Sequence, residues 1–390
     1  MVFNVVIGNP PYIDSETMVN VGMENLRKYL VSNLKFTRGN WDIYIAFFEV
    51  GFYLLNNRGI LAFITPDKWI SKPFGYELRK NLLKNIFIIT EAGRNIFESV
   101  NVDSIVTFIS KRKRTNIAIC RFKQKHLDIM ISISNKSITD PFTFDWLFSD
   151  NIQIITKIES QKYYFDRIAQ CENACATSDA YKLKEYIFDL VSADKFNKNQ
   201  HLKVINTGSI DKYTNKWGRT EMTYLGDKYL FPVVLKDKFC KYFQNTYGVK
   251  SLKPKLIMKG LTLLDVCIDE IGSIVPGKST LLVISDNALN LKFALGFLNS
   301  KIPFFYIKEK YKGSSYNQGI NFNKHMINKL PLPEINDKVF NKIVILVDQI
   351  LAAKKANPQA DTSHWEREID QLVYQLYELT DEEIKIIENK

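Results

Sequence analysis

Val5-Val6-Ile7-Gly8-Asn9-Pro10-Pro11-Tyr12 is the stretch from which the rest of this 390-residue chain is read. Three β-branched residues in an unbroken apolar run suit a short strand in a sheet covered on both faces, so residues 5–7 are expected to be buried. Two successive prolines cannot donate ladder hydrogen bonds, and the strand must stop at Asn9. Their fixed φ angles hold the Asn9 side chain, the Pro10 carbonyl and the Tyr12 ring in one stiff loop. In an open α/β sheet, ligands bind at the carboxyl ends of the strands, which is where such a loop sits.

That loop suits the chemistry of an exocyclic amine on an aromatic base, a poor nucleophile because its lone pair is delocalised into the ring. The Asn9 side-chain oxygen and the Pro10 carbonyl can each accept one amino hydrogen. Two such bonds favour a pyramidal nitrogen whose lone pair points at an electrophile, with no titrating base required. The Tyr12 ring can stack on a flat substrate. The plainer reading is a Pro-Pro turn that ends a core strand, with Tyr12 as a rim aromatic.

Composition bounds the class. Hydrophobic residues make up 46% and aromatics 13%, which describes a globular chain, and the length allows two or three domains with proper cores. A net charge of +11 fits a polyanionic partner such as nucleic acid, although a lysine-rich, AT-rich genome produces the same balance. No apolar run reaches the length of a membrane span and no charged-then-apolar leader precedes the first strand, so a cytoplasmic protein without a membrane partner is expected. The cysteines (Cys120, Cys171, Cys175, Cys240, Cys267) are scattered, and no His follows Cys171 and Cys175 at zinc-ligand spacing. A reduced compartment and no metal are expected.

Along the chain, residues 9–38 read as a polar loop over the site. Asp42 to Leu55 is an apolar helix with a stop at Asn56-Asn57-Arg58-Gly59. Strands follow over 60–65 and 86–90, with an amphipathic helix over 77–84 between them. Residues 102–110 and 117–122 alternate like an antiparallel pair joined by the basic turn KRKRTN. This strand-helix alternation predicts an α/β domain over 1–145. Short strands broken by Gly and Asn turns fill 146–335. Within them, Lys308, Lys310, Lys312, Lys324 and Lys329 interleave with aromatics in a Gly/Ser/Asn-rich stretch. Such a loop suits a phosphate backbone, or is simply solvated. The tail, 336–390, predicts a helical pair: one helix over 339–355, a break at Asn357-Pro358, then a second helix with Glu366 three after Ser363 as a capping box. A short acidic helix follows Thr380.

The stretch FNVVIGNPPYI resembles the catalytic motif of S-adenosylmethionine-dependent amino methyltransferases, chiefly the gamma-class adenine-N6 DNA enzymes. Asn4 stands where that family usually has Asp. DIYIAFFEVGFYLLNNRGILAFITPDKWI and NIFESVNVDSIVTFIS are similar to the family's later motifs, and the region of 160–335, ending in KLPLPEI, to a Taq-type target-recognition domain. EIDQLVYQLYELTDEEI is similar to the tails of type IIG restriction-modification proteins. On its own residues Phe47 reads as core on an apolar helix face. The resemblance instead implies that Phe47 lines the cofactor's adenine pocket and that Phe97 sandwiches the target base opposite Tyr12. It implies catalytic roles for Asn9, Pro10, Pro11 and Tyr12, with DNA contacts from Lys308, Lys310, Lys312 and Lys324.

The expected fold is therefore α/β. A partial Rossmann-like methyltransferase sheet precedes an α+β target-recognition domain and a C-terminal helical hairpin. The Gly-rich cofactor loop that the family carries before its Asn-Pro-Pro-Tyr motif has no counterpart in residues 1–7. The resemblance then implies that a missing N-terminal region or a separate chain supplies the cofactor-binding half. The function it implies is site-specific adenine-N6 methylation of double-stranded DNA with methyl from S-adenosylmethionine, within a restriction-modification enzyme. Two other classes stand beside it: a non-catalytic DNA-binding specificity subunit, and a protein or RNA methyltransferase, which has no use for so long a basic region.

Overall fold

The computed structural model describes residues 2–389 apart from 94–102, 124–125, 141, 313–314 and 317–318. The chain divides into two compact units, Met1–Ile152 and Gln153–Lys390.

The first unit is built on one mixed sheet. Its strands are β1 (Phe3–Gly8), β2 (Leu55–Pro66), β3 (Ile86–Gly93), β4 (Ser104–Ser110), β5 (Asn116–Lys123) and β6 (His126–Ser134), in the order β1-β2-β4-β3-β5-β6. β1 runs parallel to β2, and β3 parallel to β5, while β4 is antiparallel to both β2 and β3. The expected pairing of 102–110 with 117–122 does not occur. β5 pairs instead with β6, and β4 takes a central position. The reason lies in its side chains: Ile105, Thr107 and Ile109 are buried and Val106 and Phe108 half-buried, so this strand needs neighbours on both edges more than it needs a hairpin.

Helix α3 (Tyr44–Tyr53) covers one face. Phe48 packs on Phe63 of β2 at 5.3 Å and on Trp69 at 5.4 Å, and Trp69 meets Phe144 edge-on at 5.9 Å. A Cβ at Gly51 would stand 2.6 Å from Leu61, so the glycine sets how closely α3 approaches the sheet. Helix α4 (Tyr76–Leu82) buries Leu78 and Leu82 and turns its Arg79 inward, where the guanidinium donates to the carbonyls of Trp69 (2.5 Å) and Lys72 (2.8 Å).

Two expectations fail here. Residues 9–38 are not an open loop but carry α1 (Ser15–Asn20), capped by Asp14, and α2 (Glu24–Asn33). α2 buries none of its residues, and the helical periodicity of this polar stretch is weak in the sequence. β1, in turn, is not covered on both faces. It is the edge strand, with Val5 56% and Ile7 78% exposed. On the sheet face turned away from α3, Ile60, Ala62, Ile64, Val106, Phe108 and Ile88 are also only half-buried.

In the second unit, one four-stranded sheet runs Ile274–Pro276, His201–Ile205, Pro232–Leu235, Phe188–Asp189. Another runs Val266–Asp269, Lys255–Lys259, Thr280–Ile284, Gln170–Asn173. The helix Asp337–Ala356 packs on Ala288–Asn299, where a Cβ at Gly296 would lie 2.9 Å from both Ile343 and Val347. Helices Ser363–Leu376 and Asp381–Glu388 complete the tail within this unit. Of the Thr362-Ser363 pair, Thr362 takes the N-cap position of the first of these but makes no side-chain cap hydrogen bond, its hydroxyl donating to Glu366 at 2.6 Å, and the reciprocal capping box belongs to Thr380 and Glu383. Among the described residues no helix is long and apolar enough to cross a membrane.

Candidate active site

Strand β1 ends at Gly8, which is in register with Phe63, and β2 continues beside the turn as far as Pro66. Asn9 is exposed, Pro10 buried, Pro11 exposed and Tyr12 half-buried. The turn is therefore anchored through Pro10 while the Asn9 amide stands in the open, at the carboxyl rim of the sheet. Beyond it, the Ile43 N–H donates to the Ile13 carbonyl at 2.8 Å and ties the turn to the approach of α3. β4 starts on the same rim, with Ser104 in register with Pro66 on one side and Gly93 on the other. Phe97 falls in the connection from β3 to β4 and lies outside the described residues.

A polar network underlies the turn, and it was not anticipated from sequence. The Tyr12 phenol lies beside Ser104, and burial raises its pKa. The fully buried Tyr44 lies beside Asp42, and its phenol is pushed up by burial and by the charges of Asp42 and Asp67. Asp42 is raised by burial, which outweighs the neighbouring Tyr44 hydroxyl and Lys68. Asp67 is raised by burial and by Asp103, whose carbonyl accepts from the Asp67 N–H at 3.0 Å. Asp42 directly before the apolar helix and Asp67 directly after the Thr65-Pro66 strand end were the signals available in the sequence.

Phe47 is 42% exposed, not core, whereas its neighbour Phe48 is fully buried. With Val50 and Leu54 it makes an exposed apolar stripe on α3. An exposed aromatic ring is a fitting wall for the flat adenine of a nucleoside cofactor, so Phe47 is available for the contact that its position implies. Among the described residues no group of three or more His, Cys, Asp or Glu could hold a metal.

The lysines divide. Lys312 and Lys324 are exposed, and Lys308 is half-buried with its ammonium 5.9 Å from the centre of the Phe304 ring. Lys310 is 5% exposed and paired with Glu159 at 2.7 Å, a carboxylate that also accepts from the Tyr306 hydroxyl. The expectation of a DNA contact is corrected for Lys310, because a cation buried against its counter-ion has no charge to offer a phosphate. Lys329 is likewise paired, with Asp166 at 2.9 Å.

The chain is 28% identical over 128 residues to the type II restriction enzyme and methyltransferase RM.Eco57I of Escherichia coli, an alignment covering 31% of this chain and 12% of that protein. It is 23% identical over 255 residues to the type II methyltransferase M.AccI of Acinetobacter calcoaceticus, covering 61% and 42%. Among solved structures, the type IIL restriction-modification enzyme MmeI in complex with DNA superposes with a TM-score of 0.46 at 12% identity, over 98% of this chain and 55% of that one. The chain thus spans less than half the length of the curated relatives it matches. Residues 1–97, which carry β1, the Asn-Pro-Pro-Tyr turn and α3, match the profile of the Eco57I restriction-modification methylase family.

Proposed function

We propose that this chain is the base-activating and DNA-recognising portion of a site-specific adenine-N6 DNA methyltransferase. The observation that carries the reading is the Asn9 amide, exposed on a turn whose backbone is fixed by two prolines at the carboxyl rim of the sheet. An adenine flipped out of its duplex would present its amino group to the Asn9 oxygen and the Pro10 carbonyl, with its ring on Tyr12. Pairing both amino hydrogens draws the nitrogen lone pair out of the ring. S-adenosylmethionine, when bound, supplies the electrophilic methyl. The remaining work is positional: Tyr12 rests beside Ser104, Phe47 and Phe97 offer aromatic contacts to cofactor and base, and Lys308, Lys312 and Lys324 meet phosphates.

The uncovered sheet favours a partner layer. Strands in parallel pairs are stable with both faces covered, yet β1 is apolar and exposed and the face beside it only half-buried, while the stripe of Phe47, Val50 and Leu54 is exposed. We infer that further polypeptide carrying the rest of the cofactor contacts packs here, from the same gene product or another. This chain with that polypeptide is the complete enzyme referred to below.

The test is to incubate the complete enzyme with S-adenosylmethionine and duplex DNA and to analyse the nucleosides by mass spectrometry. N6-methyladenine is the expected product. Methylated cytosine, or methyl on protein or RNA alone, would refute the reading.

A further inference from the structure

The second unit contains an open cleft of about 570 Å3 at the end of the strand Gln170–Asn173. Its walls come from that strand, from Asn245 and Thr246 at a helix start, from the turn at Gly260 and Ser279, and from Asn321. Of its charged groups, Lys250 pairs with Glu172 at 2.9 Å, while Asp179 accepts from the neutral Asn245 amide at 2.9 Å and keeps its charge. The rest of the lining is uncharged, with several polar groups. Asn173 and Asn321 are both exposed, and among the described residues neither side-chain amide has a hydrogen-bond partner.

The backbone around these amides is held tightly. Ser279 (φ 60°) and Thr262 (φ 72°) sit in the left-handed region, which is strained for a residue other than glycine. Both are fixed by close backbone approaches. The Gly260 N–H donates to the Ser279 carbonyl at 2.9 Å, and a Cβ at Gly260 would stand 2.6 Å from that oxygen. The Thr207 hydroxyl donates to the same carbonyl. A Cβ at Gly319 would lie 2.3 Å from the Thr262 carbonyl, and the Phe322 N–H donates to Gly260 at 2.8 Å. Asn321 thus projects from backbone that has no freedom to move, and Asn173 from a strand paired with Thr280–Ile284. Strain locked around outward-facing polar groups is expected where a ligand must be met with fixed geometry.

We infer that this cleft reads base edges of duplex DNA, with Asn173 and Asn321 as specificity-determining residues for an adenine. An amide presents one donor and one acceptor side by side, which matches the N7 acceptor and N6 amino donor of adenine in the major groove. A cleft that keeps the Asp179 carboxylate is unsuited to phosphate, whereas Lys278, next to Ser279 in the chain, and Lys324, three residues after Asn321, are exposed and offer positive charge to the backbone. The inference rests on the DNA reading above and names where in the second unit sequence is read.

The test uses the full chain without cofactor. Binding to a randomised duplex pool, with sequencing of the bound fraction, should enrich a site containing a fixed A·T pair. Asn173→Ala and Asn321→Ala should each lower discrimination at one such position by about tenfold or more. Affinity for non-specific duplex and its salt slope should stay unchanged, which also shows that the variants fold. Asn173→Asp, an acceptor-only replacement, should shift its position from adenine toward cytosine. If both alanine variants select the same site as the parent, or the parent binds duplex without sequence preference, the inference falls while the DNA reading stands. If the chain binds no duplex at any salt, both fall.

Discussion

Glu49 lies in the middle of α3 and is 2% exposed. Its carboxylate accepts from the Lys35 N–H at 2.9 Å to each oxygen and from the Phe36 N–H at 2.7 Å. It therefore pins the segment between α2 and α3, where Phe36 and Thr37 are buried, to the helix that carries Phe47. Glu49→Ala leaves the buried Phe36 N–H and the part-buried Lys35 N–H without an acceptor. At roughly 1–3 kcal/mol per orphaned donor the expected loss is about 2–5 kcal/mol, since the small gain in helix propensity cannot offset it. Glu49→Gln keeps one oxygen and should lose roughly half as much. Hydrogen exchange read by mass spectrometry on a peptide spanning residues 34–38 separates local from global effects. In Glu49→Ala those amides should exchange at least about 30-fold faster, because each 1.4 kcal/mol is a factor of ten. Unchanged exchange at 35 and 36, with stability within about 0.5 kcal/mol of the parent, would show that the carboxylate does not hold this segment.

Asp269 and Lys255 form an ion pair at 2.5 Å with side chains 1% and 0% exposed, and Asp269 also accepts from the Ser273 and Ile274 N–H groups. Asp269→Ala, measured by urea unfolding of the second unit, should cost about 3–5 kcal/mol because Lys255 is left buried without a counter-charge. Asp370 accepts from the Lys301 N–H at 2.9 Å, and burial pushes its carboxyl up to about 6 against the attraction of Lys212 and Lys301. A raised carboxyl binds its proton more tightly in the folded state. Its stabilising contribution is full below the ordinary value near 4 and is lost as pH rises to about 6. Asp370→Asn should thus leave thermal stability unchanged at pH 4 and raise it by up to roughly 3 kcal/mol at pH 8, and a loss at pH 8 would refute this. Charge reversal at Lys308, Lys312 and Lys324 together should weaken binding to all duplexes alike and flatten the salt slope, whereas reversal at Lys310 should unfold its surroundings instead.

The sequence made the Asn-Pro-Pro-Tyr turn legible because two prolines after β-branched residues admit few geometries, and α3 legible by its apolar run, although Asn56-Asn57-Arg58-Gly59, read as its stop, belong to β2. Edge position was not legible at β1. An apolar strand reads the same whether or not anything covers it, and here Val5 and Ile7 are bare. Glu49 and Lys310 show the converse: a charged residue reads as surface by default, and only the structure reveals Glu49 holding backbone amides and Lys310 holding Glu159. The hairpin over 102–122 failed because local alternation was outweighed by the burial that β4 gains between β2 and β3. Asp42, Tyr44 and Ser104 escaped notice because their network joins segments about 30–90 residues from the turn, a separation at which periodicity carries no information.

The central claim is that Asn9 activates an amino group, and methyl transfer by the complete enzyme tests it most directly. Asn9→Ala removes one acceptor but leaves the Pro10 carbonyl, the Tyr12 ring and the DNA-binding surface in place. Losing one preorganised hydrogen bond made mainly in the transition state should cost about 3–4 kcal/mol, or roughly 10²–10³ in turnover of radiolabelled methyl, with DNA affinity little changed. Tyr12→Ala should in addition weaken capture of the flipped base, visible with a fluorescent base analogue at the target position, because stacking is worth on the order of 1–3 kcal/mol. If Asn9→Ala methylates DNA at near the parental rate, the amino-activation account is wrong and the Asn-Pro-Pro-Tyr stretch is only a turn.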